Sequence, residues 1–391
     1  MNDKSNTIIY TVSCLMVLLL FVSQYILLGA GVIAVLLVYV AVCQKHIKMP
    51  KVCLSFIAFI LINLLQTLFG GNTNFIQEIE RNIIYLMIVT LLYNINVPYK
   101  SILRVWRGML IFCFAIQVLQ FFKLFNINNL LERFYGYSVF LKIAGYTSIR
   151  YFRTGSIFIA INPYFKFAAI CLALFFYDSK RKDGNRILNF AFIIITLVST
   201  LLCGSRTGFA VVAVISAIYL LSTMGTKMSA KSIAQIAISI VGIAVVFMIL
   251  NRQYSILDSR LFTAEDSLGD KIKMMKQFFT TANTRELFFG MGAYDASVTG
   301  LNMDSDLGYA LTYYGILGTV IYYSMLFTLV YHCNSQDRTK RMYFLMVLVI
   351  FLLGGITSGI YFNFRVFAIM LLALIPFHTS VEKMAAPVEQ H

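Results

Sequence analysis

The 391 residues are 59% hydrophobic and 15% aromatic, with a mean hydropathy of +0.79 and a formal net charge of +15. So apolar a composition excludes a soluble globular body and leaves one integral membrane bundle over 1–391, because apolar windows near the ~20 residues that span a bilayer recur along the whole chain. The charge is then read as topology rather than as a nucleic-acid footprint, since Lys and Arg collect in cytoplasmic loops of membrane proteins.

The expected fold is all-α and polytopic, with about twelve transmembrane helices at roughly 7–23, 27–44, 52–69, 82–94, 102–125, 156–177, 187–203, 207–223, 232–250, 306–331, 342–361 and 364–378. Met1-Asn2-Asp3-Lys4 leads directly into the first apolar run, with no small-residue cleavage site ahead of a soluble body. The run from Ile8 to Val42 is too long for one crossing; Ser23-Gln24-Tyr25 and Gly29-Ala30-Gly31 offer the break. With the N-terminus inside, the inner connections are short and basic. They carry Lys45, Lys48 and Lys51; then Lys100, Arg104 and Arg107; Lys180, Arg181, Lys182 and Arg186; Lys227 and Lys231; and Arg338, Lys340 and Arg341. Both termini then face the cytoplasm.

Two outer connections are long, 126–155 and 251–305. Long loops translocate regardless of charge, so Arg133, Arg150, Arg153, Arg252, Arg260 and Arg285 are not needed for orientation and read either as solvated charge or as contacts to an anion. In the larger loop, Leu268, Ile272, Met275 and Phe279 recur at helical spacing, with Lys271, Lys273 and Lys276 on other faces. This is the pattern of an amphipathic helix on the membrane surface or over a cavity.

The seven cysteines (Cys14, Cys43, Cys53, Cys113, Cys171, Cys203 and Cys333) avoid the long loops, which argues against a disulfide framework and against a zinc site. No metal or other cofactor is expected.

Three segments share the outer face in this topology. They are Arg153-Thr154-Gly155-Ser156-Ile157-Phe158 with Asn162-Pro163; Gly204-Ser205-Arg206-Thr207-Gly208; and Phe289-Gly290-Met291-Gly292 through Asp304-Ser305-Asp306-Leu307-Gly308-Tyr309 to Gly315-Ile316-Leu317-Gly318. Arginine at bilayer depth costs about 2.5–3.5 kcal/mol on insertion scales, so Arg206 is expected to face a cavity or a partner. The planar guanidinium suits phosphoryl oxygens, and Ser205 and the backbone of the turn add donors at a helix start. Asp304 and Asp306 either cap the tenth span or supply a general base. All four histidines (His46, His332, His378 and His391) fall on the inner side, so a base outside is not histidine. Gly290-Met291-Gly292 lacks the strand–turn–helix setting of a dinucleotide fingerprint and reads as helix packing. Glu78, Glu80 and Arg81 read as a local helical salt bridge, and Arg365 as a topological stop or a further pocket cation.

Taken together, these segments resemble the O-antigen polymerase and ligase superfamily of bacterial envelope glycosyltransferases, over roughly residues 145–330. The resemblance implies work at the periplasmic face of the inner membrane. There the growing glycan moves from undecaprenyl pyrophosphate to the non-reducing end of a new lipid-linked repeat unit, with inversion and without a metal. Arg206, Arg153 and Arg260, with Arg150, Arg365 and Ser205, would hold the pyrophosphate; Asp304, with Asp306 in reserve, would take the acceptor's proton. A chain-length regulator is implied as a partner. Ligases of this superfamily carry a histidine where this chain has Asp304, which favours polymerase over transfer to lipid A–core. A flippase for the lipid-linked unit is the alternative from another class.

Overall fold

The structure is a computed structural model that describes residues 1–22, 24–70, 75–136, 154–158, 161–181, 183–223, 267–292, 305–331 and 337–385. Among the described residues there are helices and no strands. In chain order they are α1 (Asp3–Leu20), α2 (Ile26–Gln44), α3 (Cys53–Gly70), α4 (Phe75–Asn94), α5 (Tyr99–Phe121), α6 (Ile127–Tyr135) and α7 (Ile161–Lys180). These are followed by α8 (Arg186–Cys203), α9 (Arg206–Thr223), α10 (Ser267–Thr281), α11 (Thr284–Phe289), α12 (Asp306–Tyr331), α13 (Arg338–Thr357) and α14 (Phe364–Ala385).

Six of them, α1, α2, α5, α8, α12 and α13, are long and apolar enough to cross a membrane, which makes this a multi-pass membrane protein. Shorter apolar runs lie in α3, α9 and α14. A helix occupies each segment expected from the sequence except 232–250, which lies outside the described residues. The clearest difference in extent is α4, which begins at Phe75 rather than near 82. The added turns contain the charges of Glu78 and Arg81. In the fold they neutralise each other inside the helix, so the helix continues through them.

The described chain forms two compact units: Met1–Val105 with Asp266–Ser335 and Gly355–His391, and Trp106–Glu265 with Gln336–Gly354. Each is built round one helix that is buried on all sides, the pattern of a helix enclosed by others. In the first unit this is α14, whose side chains from Val366 to Ile375 are at most 2% exposed. The Tyr10 hydroxyl of α1 donates to the Leu372 carbonyl at 3.0 Å, and Tyr85 of α4 donates to the Tyr361 carbonyl at 2.6 Å. In the second unit the enclosed helix is α7, buried at every position from Tyr164 to Asp178. Phe167 of α7 stacks between Trp106 and Phe158.

The amphipathic helix α10 is present, but its inward stripe differs from the expected one. Phe278 is wholly buried against Leu311, with Met274, Met275, Leu287 and Met291 around it. Ile272 and Phe279 point outward, 47% and 52% exposed. Met274 and Phe278, beside the expected stripe, are the residues that reach the Leu311 cluster.

Candidate functional site

In the second unit the first two of the three segments meet. Cys203 closes α8, and Gly204 follows in the left-handed conformation (φ 60°), its amide bonding back to the Leu201 carbonyl at 3.0 Å. Glycine meets that requirement without strain. Ser205, 3% exposed, then caps α9: its Oγ accepts the Gly208 amide at 3.2 Å. Arg206 is the first residue of α9.

The partner surface is the start of α7. Ser205 Oγ donates to Asn162 Oδ1 at 3.4 Å, and the Cys203 thiol donates to the Ile161 carbonyl at 3.1 Å. Phe165 lies directly against Gly208. Asn162, Phe165 and Lys166 stand at positions i, i+3 and i+4, one face of a helix. Lys166 is therefore on the face that packs on the turn, and it is wholly buried, its ammonium 5.8 Å from the Phe165 ring centre. Sequence spacing does not single it out, because a lone lysine inside the span expected at 156–177 forms no recognisable ligand pattern. The available signal was a charge in the interior of an otherwise apolar run.

Before α7, Thr154 and Ser156 are locked in place. The Thr154 amide and hydroxyl both donate to the Leu202 carbonyl, at 3.1 and 3.2 Å. The Ser156 amide donates to Gln120 Oε1 at 2.9 Å and its hydroxyl to the Cys113 carbonyl at 2.7 Å. Gln117 donates to the Thr154 and Ser199 carbonyls. Buried polar groups so fully satisfied hold a segment in a single conformation. The Thr154–Ser156 stretch is thus fixed to the end of α8, beside the Ser205 turn.

The third segment belongs to the first unit. Asp306, 2% exposed, opens α12, and its Oδ1 accepts the amides of Ile360 at 2.7 Å and Tyr361 at 3.1 Å. Gly355 and Gly359 leave room for the carboxylate; a Cβ on Gly355 would meet Asp306 Oδ2 at 2.6 Å. The reserve base of the sequence reading is thus engaged in holding the link between α13 and α14. Arg365, second residue of α14, is 3% exposed, and the helix start before it is capped by Asn363 Oδ1, which accepts the Val366 amide. The glycines of this segment serve backbone approach: Gly290 (φ 83°) and Gly315 (φ 69°) lie so close that a Cβ on Gly315 would meet the Gly290 nitrogen at 2.5 Å.

The same unit contains a second buried polar group. Glu78 and Arg81 form an ion pair at 2.6 Å, as their i,i+3 spacing suggests, yet the pair is interior. Tyr309 donates to Glu78 Oε1 at 2.6 Å and Tyr314 to Oε2 at 2.7 Å. The Arg81 guanidinium lies 5.4 Å from the Phe362 ring centre and 5.0 Å from that of Phe364. What sequence spacing could not supply was the pair of tyrosines from α12.

Asp304, Arg150, Arg153 and Arg260 lie outside the described residues. No protein-family model matches this chain, and no curated protein matches it.

Proposed function

We propose that the chain is a membrane glycosyltransferase that polymerises lipid-linked oligosaccharide. The observation that carries this reading is the wholly buried Lys166 on the face of α7 that packs against the Ser205–Gly208 turn. A buried cation beside a helix start is an arrangement that favours phosphoryl oxygens over neutral ligands. The resemblance of this turn and of Arg153–Ser156 to the O-antigen polymerase and ligase superfamily supplies the substrate class, an oligosaccharide on undecaprenyl pyrophosphate.

In this reading the chain crosses the bacterial inner membrane about twelve times, with both termini cytoplasmic and the turn on the periplasmic side. Arg206, Arg153, Arg260 and Arg150, with Ser205 and Lys166, bind the diphosphate. The acceptor hydroxyl oxygen attacks the anomeric carbon as the bond from that carbon to the pyrophosphate oxygen breaks. The electron pair leaves with the lipid pyrophosphate, and fixed cations stabilise the charge that grows there. Asp304 receives the hydroxyl proton. A length-setting membrane partner is part of the same proposal.

The test is chain extension by the purified full-length protein supplied with lipid-linked repeat units, read on a gel. Ladders are expected from the wild type and from Lys166→Arg, and a single repeat unit from Lys166→Met. Full ladders from Lys166→Met would overturn the assigned site. Wild-type protein that moves the lipid-linked unit across vesicles without extending it would replace the polymerase with a flippase.

A further inference from the structure

Helices α7 and α9 run parallel, so the second unit has another end, which also carries cations. At the end of α7, Lys180 Nζ donates to Ser222 Oγ of α9 at 2.5 Å, and its ammonium lies 5.6 Å from the Tyr219 ring centre. Phe176 stacks on the same tyrosine at 4.1 Å, closing the inner wall. Ser222 Oγ also meets Met342 Sδ of α13 at 2.8 Å. Arg338 stands four residues before Met342, one turn along the same face of α13, and its charge acts on Lys180. Arg186, at the start of α8, acts on Tyr219.

Lys180 and Arg186 thus act on one tyrosine, and Arg338 acts on Lys180. Lys180 is half-buried, whereas Arg186 and Arg338 are exposed. The carboxylates nearby are engaged elsewhere: Asp178 with Arg107 and Asn189, Asp183 with Arg181, and Asp337 in capping the start of α13. Among the described residues Lys180, Arg186 and Arg338 form no ion pair. Loop charges that only set orientation can extend into water, whereas Lys180 is drawn between two helices.

The flanks are apolar and outward-facing. Val214 and Leu221 of α9 are 38% and 67% exposed, and Ile187, Phe190 and Ile194 of α8 are 86%, 58% and 44% exposed. Their i, i+3 and i+7 spacings make each set one stripe along its helix, leading away from the cations. A ligand that matches both parts is amphipathic, with an anionic head and a hydrocarbon tail. We propose that Lys180, Arg186 and Arg338 form a binding site for the phosphate of an anionic membrane phospholipid, whose acyl chains lie along the exposed stripes of α8 and α9. Basic pockets between membrane helices bind anionic headgroups in this way.

The experiment is native mass spectrometry of the full chain in neutral detergent, titrated with phosphatidylglycerol, phosphatidylcholine or inorganic phosphate. The wild type should retain phosphatidylglycerol over phosphatidylcholine and over free phosphate. Lys180→Gln and Arg338→Gln should each weaken phosphatidylglycerol roughly fivefold and compound when combined. Since neither change unpairs a carboxylate, unliganded thermal stability should hold or rise while stabilisation by phosphatidylglycerol falls. Equal retention of the two lipids, an unchanged affinity in the double variant, or free phosphate competing at the same concentration as the lipid would overturn the proposal.

Discussion

Phe165 of α7 and Gly208 of α9 approach so closely that a Cβ on the glycine would stand 3.0 Å from the phenylalanine Cβ. Phe165 is wholly buried within α7, so it has little room to retreat. The contact sets the spacing between the Ser205 turn and the α7 face that carries Lys166. Gly208→Ala should therefore destabilise the purified protein by about 1–3 kcal/mol, despite alanine's higher helix propensity. Gly208→Leu should separate the helices and abolish chain extension. Thermal unfolding checks the first, and the gel assay checks the second; a Gly208→Leu enzyme with wild-type ladders would remove this spacing from the proposed mechanism.

Asp304 and Asp306 should separate cleanly by variant. Asp306 accepts two backbone amides in the link between α13 and α14, and losing charge-assisted bonds of this kind costs about 1.5–3 kcal/mol each. Asp306→Ala is expected to lower the melting temperature and the yield of inserted protein. Asp304→Asn, at the proposed base, is expected to stop extension with unchanged melting. The opposite pattern, stable Asp306→Ala and an active Asp304→Asn, would exchange their roles.

The helical fold was legible because apolar runs of near-bilayer length admit little else. Local turn chemistry was legible too: Gly204 and Ser205 end one helix and cap the next as their residue types demand. The sequence could not indicate which cations the fold would draw inside. Arg107 was counted with the loop charges that set topology, yet it donates to Asn189 at 2.6 Å and reaches Asp178 at 3.4 Å. Lys166 shares the same periodicity as the apolar residues around it, and only the packing of α9 on α7 distinguishes its face. Pairing across the chain, such as Glu78 with Tyr309 and Tyr314, depends on tertiary geometry that local spacing does not encode.

That cluster gives a stability prediction independent of function. Glu78 neutralises Arg81 inside the first unit, and removing one member of a buried pair typically costs about 3–5 kcal/mol. Glu78→Gln should lower stability by about that amount. The double change Glu78→Gln with Arg81→Met should recover most of it, because the stranded charge is gone. A double-mutant cycle on thermal unfolding reads the coupling. Strict additivity of the two single changes would mean that the two charges do not stabilise each other.

Lys180 gives the pH dependence. Burial, with Arg338 beside it, pushes its ammonium down from the ordinary 10.5 to about 8. The charge that acts on it is Arg338 of α13, while Arg186 of α8 acts on the neighbouring Tyr219. Below pH 8 folded and unfolded chains both carry the proton, and the unfavourable confinement of the charge is fully present. Between about pH 8 and 10.5 the unfolded chain binds more protons at this site, so its contribution to stability rises with pH. A bound phospholipid reverses the preference, because an anion holds the proton on Lys180. Stabilisation by phosphatidylglycerol should accordingly be larger at pH 7 than at pH 9.5, and Lys180→Gln should flatten the difference. Thermal unfolding at the two pH values, with and without the lipid, measures both slopes. An unchanged pH slope in Lys180→Gln would assign the titration to another group.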